Sequence, residues 1–515
     1  MFDSPNFPKL CRRVLTLFLF VAVAAQVSYA QKLPTADKII ENYLKASGGR
    51  KAVAALNDAT YDWLVQFNGQ PIGIARTRRK APASERLELI FGNGQIISAS
   101  NARSAWEIGL DGRLRTLTGA ESIATKLRAS LDASRLVNFK KANILARVLS
   151  LGDLGSEPAY IVEFSTRSGA RFQYYFSVKT SLITKITGDA KKTRDLFDDY
   201  RPIQGIVEPH RVRMNVQGSG ELTLQLQRVK YNSGIDDRVF DPPAATENLD
   251  VAALLREVGQ NQDELENRVA EYAFKQTETD RAIDGKGQLK KETTKVYEVF
   301  PLPNREPVEK LISENGVPLS AERAAKEDRR VQEEFAKAER EKEKNEKKAA
   351  ERRAEREKKK AEGNEATDIS AFLKACEFVS PRREMLNDRE TIVFDFRPRA
   401  GFKPKNSEES LIAKLIGVVW IDPIDKQVIR LEARLAEGFK MGAGLLVSLK
   451  PGAALVMEQT RMIQGVWLPK FAQINMSVKV LLFGGGDYNK TIEWSDYKHF
   501  SGDVQDYKIS SPAKP

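Results

Sequence analysis

The residue types that commonly carry out catalysis are scarce in this chain and poorly spaced for it. The two histidines, His210 and His499, lie in different halves of the sequence, so a two-histidine metal site would need both of them. No His-Glu-x-x-His or Cys-x-x-Cys spacing occurs, and no Gly-x-Ser-x-Gly nucleophile elbow occurs either. The sequence therefore predicts no metal site, no cofactor, no catalytic residue and no enzyme activity.

Three further polar motifs are better explained by local structure than by chemistry. The carboxylate pairs Asp198-Asp199 and Asp236-Asp237 lie at predicted turns, where capping is the usual role of aspartate. The glycine run 484–486 lacks the Lys-Ser or Lys-Thr of a phosphate-binding loop and joins two predicted strands. We interpret it as a hairpin tip.

The first thirty residues have the pattern of a cleaved secretory signal. Basic residues precede an apolar run over 14–27, and Ser28-Tyr29-Ala30 supplies small residues for cleavage after Ala30. The run is too short to span a bilayer comfortably. We therefore expect a mature protein in the periplasm, which excludes nucleic acid as a partner.

Export also narrows the meaning of two compositional features. The net charge of +12 favours an anionic membrane surface or acidic envelope proteins as partners. After cleavage Cys376 is the only cysteine, so stability must come from packed cores. Its neighbours Ala375 and Phe378 predict a small buried hydrophobic residue and not a nucleophile.

One phrase occurs twice and indicates a duplication. Residues 201–210 and 461–470 share Arg, Ile, Gln, Gly and Pro in register, each between β-rich segments. We predict one supersecondary unit present twice, with Gly205 and Gly465 in equivalent turns that need positive φ. We interpret the phrase itself as a hairpin signature without chemistry.

The order of predicted elements also repeats. An amphipathic helix ending at Gly48-Gly49 precedes alternating β sequence with hairpin signals, and a second helix over 251–267 precedes further strands. The predicted fold class is α+β, with two antiparallel incomplete β-barrels and helices on each concave face. The predicted divisions are a signal peptide over 1–30, domains over 31–243 and 244–500 and a flexible tail over 501–515.

A charged run interrupts the second domain. Of residues 321–362, 29 are Lys, Arg, Asp or Glu, and Val331 and Phe335 are the only large apolar ones, so a coiled coil is not favoured. The composition predicts a long, protruding, solvated helix. The run is either a tolerated surface insertion or a spacer that faces partners or the membrane.

Three predicted strands are apolar almost throughout: 415–421, 445–449 and 478–483. Such a strand is either covered on both faces or borders an apolar cavity. For the cavity alternative, Leu446 and Val480 are the candidate ligand-binding residues.

The whole arrangement resembles the periplasmic lipoprotein-carrier family, the outer-membrane lipoprotein-sorting proteins. The resemblance is carried by the helix over 39–49, the meander, and the Ile-Gln-Gly-x-x-x-Pro phrase, and it covers about 31–243 and 249–500. It implies an incomplete β-barrel whose hydrophobic cavity holds acyl chains. The doubled architecture and the charged run depart from that family, and no motif allows individual ligand residues to be carried over.

Three hypotheses follow. The first is a non-enzymatic exported protein that binds a lipid or the acyl chains of a lipoprotein. The second is an envelope scaffold or interaction protein with packed cores and no cavity. The third, an exported hydrolase with an unrecognised site, is disfavoured by the missing His, Cys and Ser constellations.

Overall fold

The computed structural model describes most of the chain between residues 33 and 499. The predicted signal peptide over 1–30 and tail over 501–515 lie outside the described residues. Within 33–499 the description omits 154–156, 189–193, 217–219, 245–248, 270, 285–287, 303–306, 342–346, 348–349, 352–371, 373, 442–446, 463–464 and 481–483.

Two helices open the first domain, α1 (Ala36–Ala46) and α2 (Arg50–Ala54). The hydroxyl of Thr35 caps α1 by accepting a hydrogen bond from the backbone N–H of Lys38 at 3.3 Å. The apolar side of α1 packs into the domain core through Ile39, Ile40 and Leu44, which are all buried.

The N-terminal sheet has thirteen antiparallel strands and one crossing helix, α3 (Gly119–Ala133). Its strand order is β6-β5-β4-β3-β2-β1-β13-β12-β11-β10-β9-β8-β7, so β6 and β7 are its edges. The strands are β1 Asp58–Phe67, β2 Gln70–Lys80, β3 Ser84–Phe91, β4 Gly94–Ser100, β5 Ala105–Ile108, β6 Leu114–Thr116, β7 Leu145–Asp153, β8 Pro158–Ser165, β9 Arg171–Ser177, β10 Ile183–Thr187, β11 Arg194–Ile203, β12 Ile206–Val216 and β13 Gly220–Tyr231.

The C-terminal sheet also has thirteen strands, with helices α4 (Val251–Val269), α5 (Ala321–Arg340) and α6 (Ser407–Ile412). Its main path is β17-β16-β15-β14-β26-β25-β24-β21-β20-β19-β18, and β22 and β23 form a short branch on β25. The strands are β14 Tyr272–Ile283, β15 Leu289–Phe300, β16 Val308–Glu314, β17 Val317–Pro318, β18 Cys376–Leu386, β19 Arg389–Pro398, β20 Leu415–Asp422, β21 Gln427–Leu435, β22 Phe439–Met441, β23 Val447–Leu449, β24 Ala454–Arg461, β25 Trp467–Val480 and β26 Gly484–His499.

The two sheets share one topology. In each, the first strand pairs with the last, β1 with β13 and β14 with β26. The chain runs outwards as a meander, crosses to the far edge, and returns strand by strand. Helix α3 lies on the first crossing and α5 on the second. The predicted fold class, two open antiparallel sheets with helices, is confirmed, and the shared topology supports the duplication.

The start of the charged run is a crossover helix with a packed side, which corrects the expectation of a protruding helix. Val331 and Phe335 of α5 lie four residues apart, on one helix face, and are 5% and 8% exposed. They form a small core with Leu302 and Val308 beside β16. Two apolar side chains at helical spacing are thus enough to dock an otherwise charged helix. Most of the run after residue 341 lies outside the described residues.

The two glycines of the repeated phrase adopt the same backbone conformation. Gly205 has φ +82° in the two-residue turn between β11 and β12, where Ile203 pairs with Ile206. Gly465 has φ +83° in the connection between β24 and β25. Both glycines therefore lie in left-handed hairpin positions, as the phrase predicts.

Strand β20 is covered on both faces, which explains its continuous apolar sequence. On one face Val419 and Ile421 pack against α4 through Leu254 and Leu255. On the other face Val418 and Trp420 lie in the part of the sheet that contacts the N-terminal domain. For this strand, the first of the two alternatives, cover on both faces, accounts for the apolar sequence.

A buried polar network joins the two domains. Asp395 of β19 accepts hydrogen bonds from Arg382 at 3.0 Å and from the hydroxyl of Ser104 at 2.7 Å. Glu384 of β18 accepts from the backbone N–H and the hydroxyl of Thr116, both at 2.6 Å. The side chains of Asp395, Arg382 and Glu384 are at most 3% exposed. Buried charges need such partners, so this network fixes how the sheets meet.

Candidate functional site

Among the described residues, one apolar cluster on the N-terminal sheet is formed by strand residues alone. We call it the strand-lined cluster, and it lies on the sheet face that α3 crosses. Its alternate strand residues point to that face because side chains of a strand alternate sides. The buried members are Ala59, Tyr61, Trp63, Val65, Ala75, Val212, Leu224, Leu226 and Val229, and the half-buried ones are Leu87, Leu89, Phe91, Phe197, Ile203, Met214, Leu222 and Tyr231.

Half-buried members of the cluster lie toward both ends of its strands. Tyr61 and Trp63, in the centre of β1, are buried, and so is Val65 near the hairpin end of that strand. Leu89 and Phe91 on β3, and Met214 and Leu222 near the ends of β12 and β13, are half-buried. These residues lie toward the hairpin ends of their strands, away from the end that α3 crosses. The cluster is thus an apolar surface on one face of the sheet, and we call its half-buried part at these hairpin ends the mouth.

A polar group closes the other end of this surface. The carboxylate of Glu208 accepts hydrogen bonds from Arg135 and from the hydroxyl of Tyr231, each at 2.7 Å, and from that of Tyr61 at 3.2 Å. Burial alone would raise the pKa of Glu208, but Arg135 and Tyr231 outweigh it and hold its pKa below the ordinary value. Burial, and the nearby Glu208 charge, raise the pKa of Tyr231. Glu208 is therefore a neutralised anion with protonated donors around it, which suits a structural floor and not a general base.

A second ionic group attaches α3 to the sheet. Asp132 of α3 accepts from Arg128 at 2.7 Å and from Arg79 of β2 at 3.1 Å, and the hydroxyl of Tyr174 donates to it at 3.2 Å. Burial opposes ionisation of Asp132, but the two arginines outweigh this effect and lower its pKa. The helix that bounds the strand-lined cluster is thus held by charge-assisted bonds to two strands.

The C-terminal domain also holds this helix. The backbone N–H of Gly119, the first residue of α3, donates to Glu432 of β21 at 3.2 Å. Glu432 itself pairs with Arg430 at 2.8 Å. An anion near a helix N-terminus is favourable, so the second domain stabilises the position of α3 over the first sheet.

A second concavity lies outside the strand-lined cluster. A groove of about 600 Å³ opens between α1 and residues 137–141. Its charged side chains pair with each other: Lys140 contacts Asp37 at 2.7 Å and Arg50 contacts Glu41 at 2.6 Å. These pairs balance much of the charge around the groove, so it is a weaker candidate site than the strand-lined cluster.

The two ligand-binding residues predicted from sequence belong to the C-terminal half of the chain. Leu446 lies outside the described residues, directly before β23. Val480 ends β25, where its backbone pairs with Val447 of β23 and Gly484 of β26. Their role stays a prediction. The strand-lined cluster was missed, although the alternation Tyr61, Trp63, Val65 in the sequence is the pattern of a strand with one apolar face.

The other polar candidates have structural partners. Asp236 accepts a hydrogen bond from the backbone N–H of Arg238 at 2.9 Å, which is a turn cap. Asp198 lies between Arg211 and Arg213. Cys376 is fully buried, and burial raises the pKa of its thiol to about 12, so it is not poised as a nucleophile.

No group of three or more His, Cys, Asp or Glu side chains in the described ranges has the geometry to hold a metal ion. No helix in the described part of the chain is both long and apolar enough to cross a bilayer.

Comparison with known structures finds similarity to proteins of the superfamily that the sequence resembles. A DUF1329 family protein from Desulfovibrio piger is 14% identical with a TM-score of 0.29, covering 40% of this chain and 97% of its own. A LolA superfamily protein from Nitrosomonas europaea is 13% identical with a TM-score of 0.29, covering 41% and 99%. MucB of Pseudomonas aeruginosa, in its complex with MucA, is 8% identical with a TM-score of 0.17, covering 88% and 94%. No protein-family model and no curated protein matches the sequence.

These similarities are too low to carry an argument about ligand or partner. The description of the fold rests on the two sheets and their shared topology, and the case for function rests on the strand-lined cluster.

Proposed function

We propose that this chain is a non-enzymatic exported protein that binds an acyl chain of a lipid or lipoprotein in the strand-lined cluster of its N-terminal sheet. The observation that carries the proposal is an apolar surface that the described residues form from strands, with half-buried side chains at the hairpin ends of β3, β12 and β13 and the polar Glu208 group at the other end.

The shape and chemistry of the cluster favour an elongated apolar ligand. Transfer of apolar surface from water stabilises a complex by about 25 cal/mol per Å², so an acyl chain gains from contact with Leu87, Leu89 and Phe91. The Glu208 floor is closed by its own partners and offers no unpaired charge to an incoming headgroup. We therefore expect the headgroup of the ligand to stay at the mouth.

The test is binding of a fluorescent fatty-acyl probe to the mature protein, with a matched pair of variants on β3. Leu89 faces the cluster, whereas its neighbour Ile90 lies on the opposite face and is 39% exposed. Leu89→Glu should abolish probe binding, because an uncompensated charge in apolar surroundings costs several kcal/mol, while Ile90→Glu should bind like the parent. Leu89→Trp fills the same space without adding a charge, so it should also lose the probe while the protein stays folded. This variant shows that loss of binding does not require loss of folding.

The other possible location of the acyl chain is in the C-terminal domain. Leu446 and Val480 are its candidate residues, and Leu446→Glu or Val480→Glu should weaken binding of the same probe if an acyl chain lies there. Retained binding in both variants assigns the site to the N-terminal sheet alone.

The alternative is an envelope scaffold without a ligand cavity. It is favoured by β20, where packing on both faces accounts for an apolar strand, and by the buried network at Asp395 that ties the domains together. A folded protein that binds no acyl probe and carries no lipid in native mass spectrometry supports this alternative.

A further inference from the structure

Large aliphatic side chains are exposed at one end of the N-terminal sheet. Ile72 and Ile74, at the start of β2, are 39% and 55% exposed, and Leu110, in the turn between β5 and β6, is 52% exposed. Leu110 lies beside Gly94, at the start of β4, so the three residues belong to the same hairpin end of the sheet. We call Ile72, Ile74 and Leu110 the hairpin rim.

Arginines lie next to the rim on the outer face of the sheet. Asp62 of β1 is shared by Arg76 of β2 at 2.7 Å and Arg228 of β13 at 2.7 Å, so one carboxylate serves two guanidinium groups. Arg76 is 43% exposed and Arg228 is 73% exposed. The cross-strand pair Asp62–Arg76 lies two register positions from the pair Leu64–Ile74, so it is the next pair on the same face of the sheet. The positive excess therefore lies directly beside the exposed isoleucine.

The same arrangement recurs further along the outer face. Asp198 of β11 is shared by Arg211 and Arg213 of β12, and Arg213 also lies 3.7 Å from Glu221. Together β1, β2, β11, β12 and β13 carry eight arginines and two lysines against seven Asp and Glu residues. A net positive charge next to an aliphatic rim combines the two features by which peripheral proteins bind anionic bilayers.

We propose that the hairpin rim, with Arg76 and Arg228, is a docking surface for an anionic lipid bilayer. The aliphatic side chains enter the interfacial region of the bilayer and the arginines contact lipid phosphates. Charge complementarity selects a bilayer as the occupant, because aliphatic side chains beside two arginines that share one carboxylate suit a surface that is apolar within and anionic at its boundary.

The hairpin rim lies close to the proposed acyl-binding surface, so the function of docking rests on the proposed acyl binding. Phe91 and Leu222, at the mouth of the strand-lined cluster, lie at the same hairpin end of the sheet as Ile72. Docking by the rim brings the mouth to the lipid surface, where an acyl chain can pass between the bilayer and the protein. Docking itself does not depend on the cluster being occupied.

The test is flotation of the mature protein with vesicles. The parent protein should bind vesicles of mixed phosphatidylglycerol and phosphatidylcholine, and bind pure phosphatidylcholine at least tenfold more weakly. Each arginine near an anionic surface contributes about fivefold to the partition coefficient, so Arg76→Gln with Arg228→Gln should lower binding at least tenfold. Ile74→Ser with Leu110→Ser should lower it by a similar factor, with the effect persisting at high salt.

Matched controls lie elsewhere on the same sheet. Arg171 of β9, 38% exposed, shares Glu163 with Arg147, and Leu151 of the edge strand β7 is 47% exposed. Arg171→Gln and Leu151→Ser should leave vesicle binding unchanged. The proposal is overturned if the control variants lose vesicle binding as much as the rim variants do. It is also overturned if the folded parent protein binds anionic and neutral vesicles equally.

The failure of docking and the failure of acyl binding can be told apart. Leu89→Trp should lose the soluble acyl probe and keep vesicle binding, whereas the rim variant should keep the probe and lose the vesicles. A parent protein that binds the probe but no vesicles refutes docking alone, and one that binds vesicles but no probe refutes acyl binding alone.

Discussion

Replacing Asp395 by alanine tests whether the buried polar network holds the two domains together. The Asp395 side chain is fully buried and accepts from Arg382 at 3.0 Å and from Ser104 at 2.7 Å. After the substitution Arg382, 2% exposed, keeps Glu384 at 2.8 Å but loses its second carboxylate. Removing one partner of a buried ion pair costs about 3–5 kcal/mol, so we expect the free energy of unfolding to fall by about that amount.

Urea denaturation followed by tryptophan fluorescence measures this effect. Trp106 and Trp420 are fully buried and belong to the parts of the two sheets that meet, so they report on the interface. The control is Asp198→Ala, which removes a 29% exposed carboxylate that also serves two arginines and should cost less than about 1 kcal/mol. An Asp395→Ala loss no larger than that of the control would refute the role of the network.

Three further predictions concern the core of α5, the polar floor and the repeated turn. Phe335→Ala should lower the free energy of unfolding by about 3 kcal/mol, because Phe335 is 8% exposed and packs in a small apolar cluster. Lys337→Ala, at an exposed position of the same helix, should leave the free energy of unfolding unchanged, and thermal melts compare the two variants. Because the pKa of Glu208 is lower in the folded protein than its ordinary value of 4.5, ionised Glu208 contributes fully to stability above pH 4.5. This contribution is lost as the pH falls through the lower folded pKa. Urea unfolding at several pH values should therefore show that Glu208→Gln loses less stability on acidification than the parent protein. At Gly205 an added methyl group would meet open space, but φ is +82°, so Gly205→Ala should lower the free energy of unfolding by about 1 kcal/mol. The control is Gly92→Ala, which also meets open space but has no positive φ and should leave stability unchanged in the same assay.

Local signals explain the parts of the fold that sequence reasoning predicted well. The Thr35 cap and the spacing of Ile39, Ile40 and Leu44 define α1, since both act within a few residues. The glycine of the repeated phrase marks a turn because its positive φ is a local requirement, and Gly205 and Gly465 satisfy it alike. Such signals determine elements and their order.

Burial is harder to predict, because it depends on contacts between residues far apart in the chain. Asp395 and Glu384 look like surface charges in the sequence, yet their partners Ser104 and Thr116 belong to the other domain. Strand β20 is apolar on both faces for the same reason, since α4 covers one face and the N-terminal domain lies against the other. The packing of Val331 and Phe335 was within reach of sequence reasoning through their spacing of four.

The candidate site shows the same limit. The strands of the strand-lined cluster alternate in apolar residues, but alternation does not reveal whether a helix covers the apolar face. The sequence directed attention to Leu446 and Val480 because their strands are apolar throughout. In the structure, β1, β3 and β13 carry the half-covered apolar surface, because α3 crosses only one end of the sheet.

The central claim is that an acyl chain lies in the strand-lined cluster, and a photoactivatable fatty acid tests it most directly. After irradiation of the folded, mature protein, peptide mass spectrometry locates the attached label. We predict labelling on the inner-face residues Leu87, Leu89 and Phe91 of β3 and on Leu222 of β13, with competition by unlabelled phospholipid. Labelling confined to the segment around Val480, labelling on outer-face residues alone, or no competable labelling would contradict the claim.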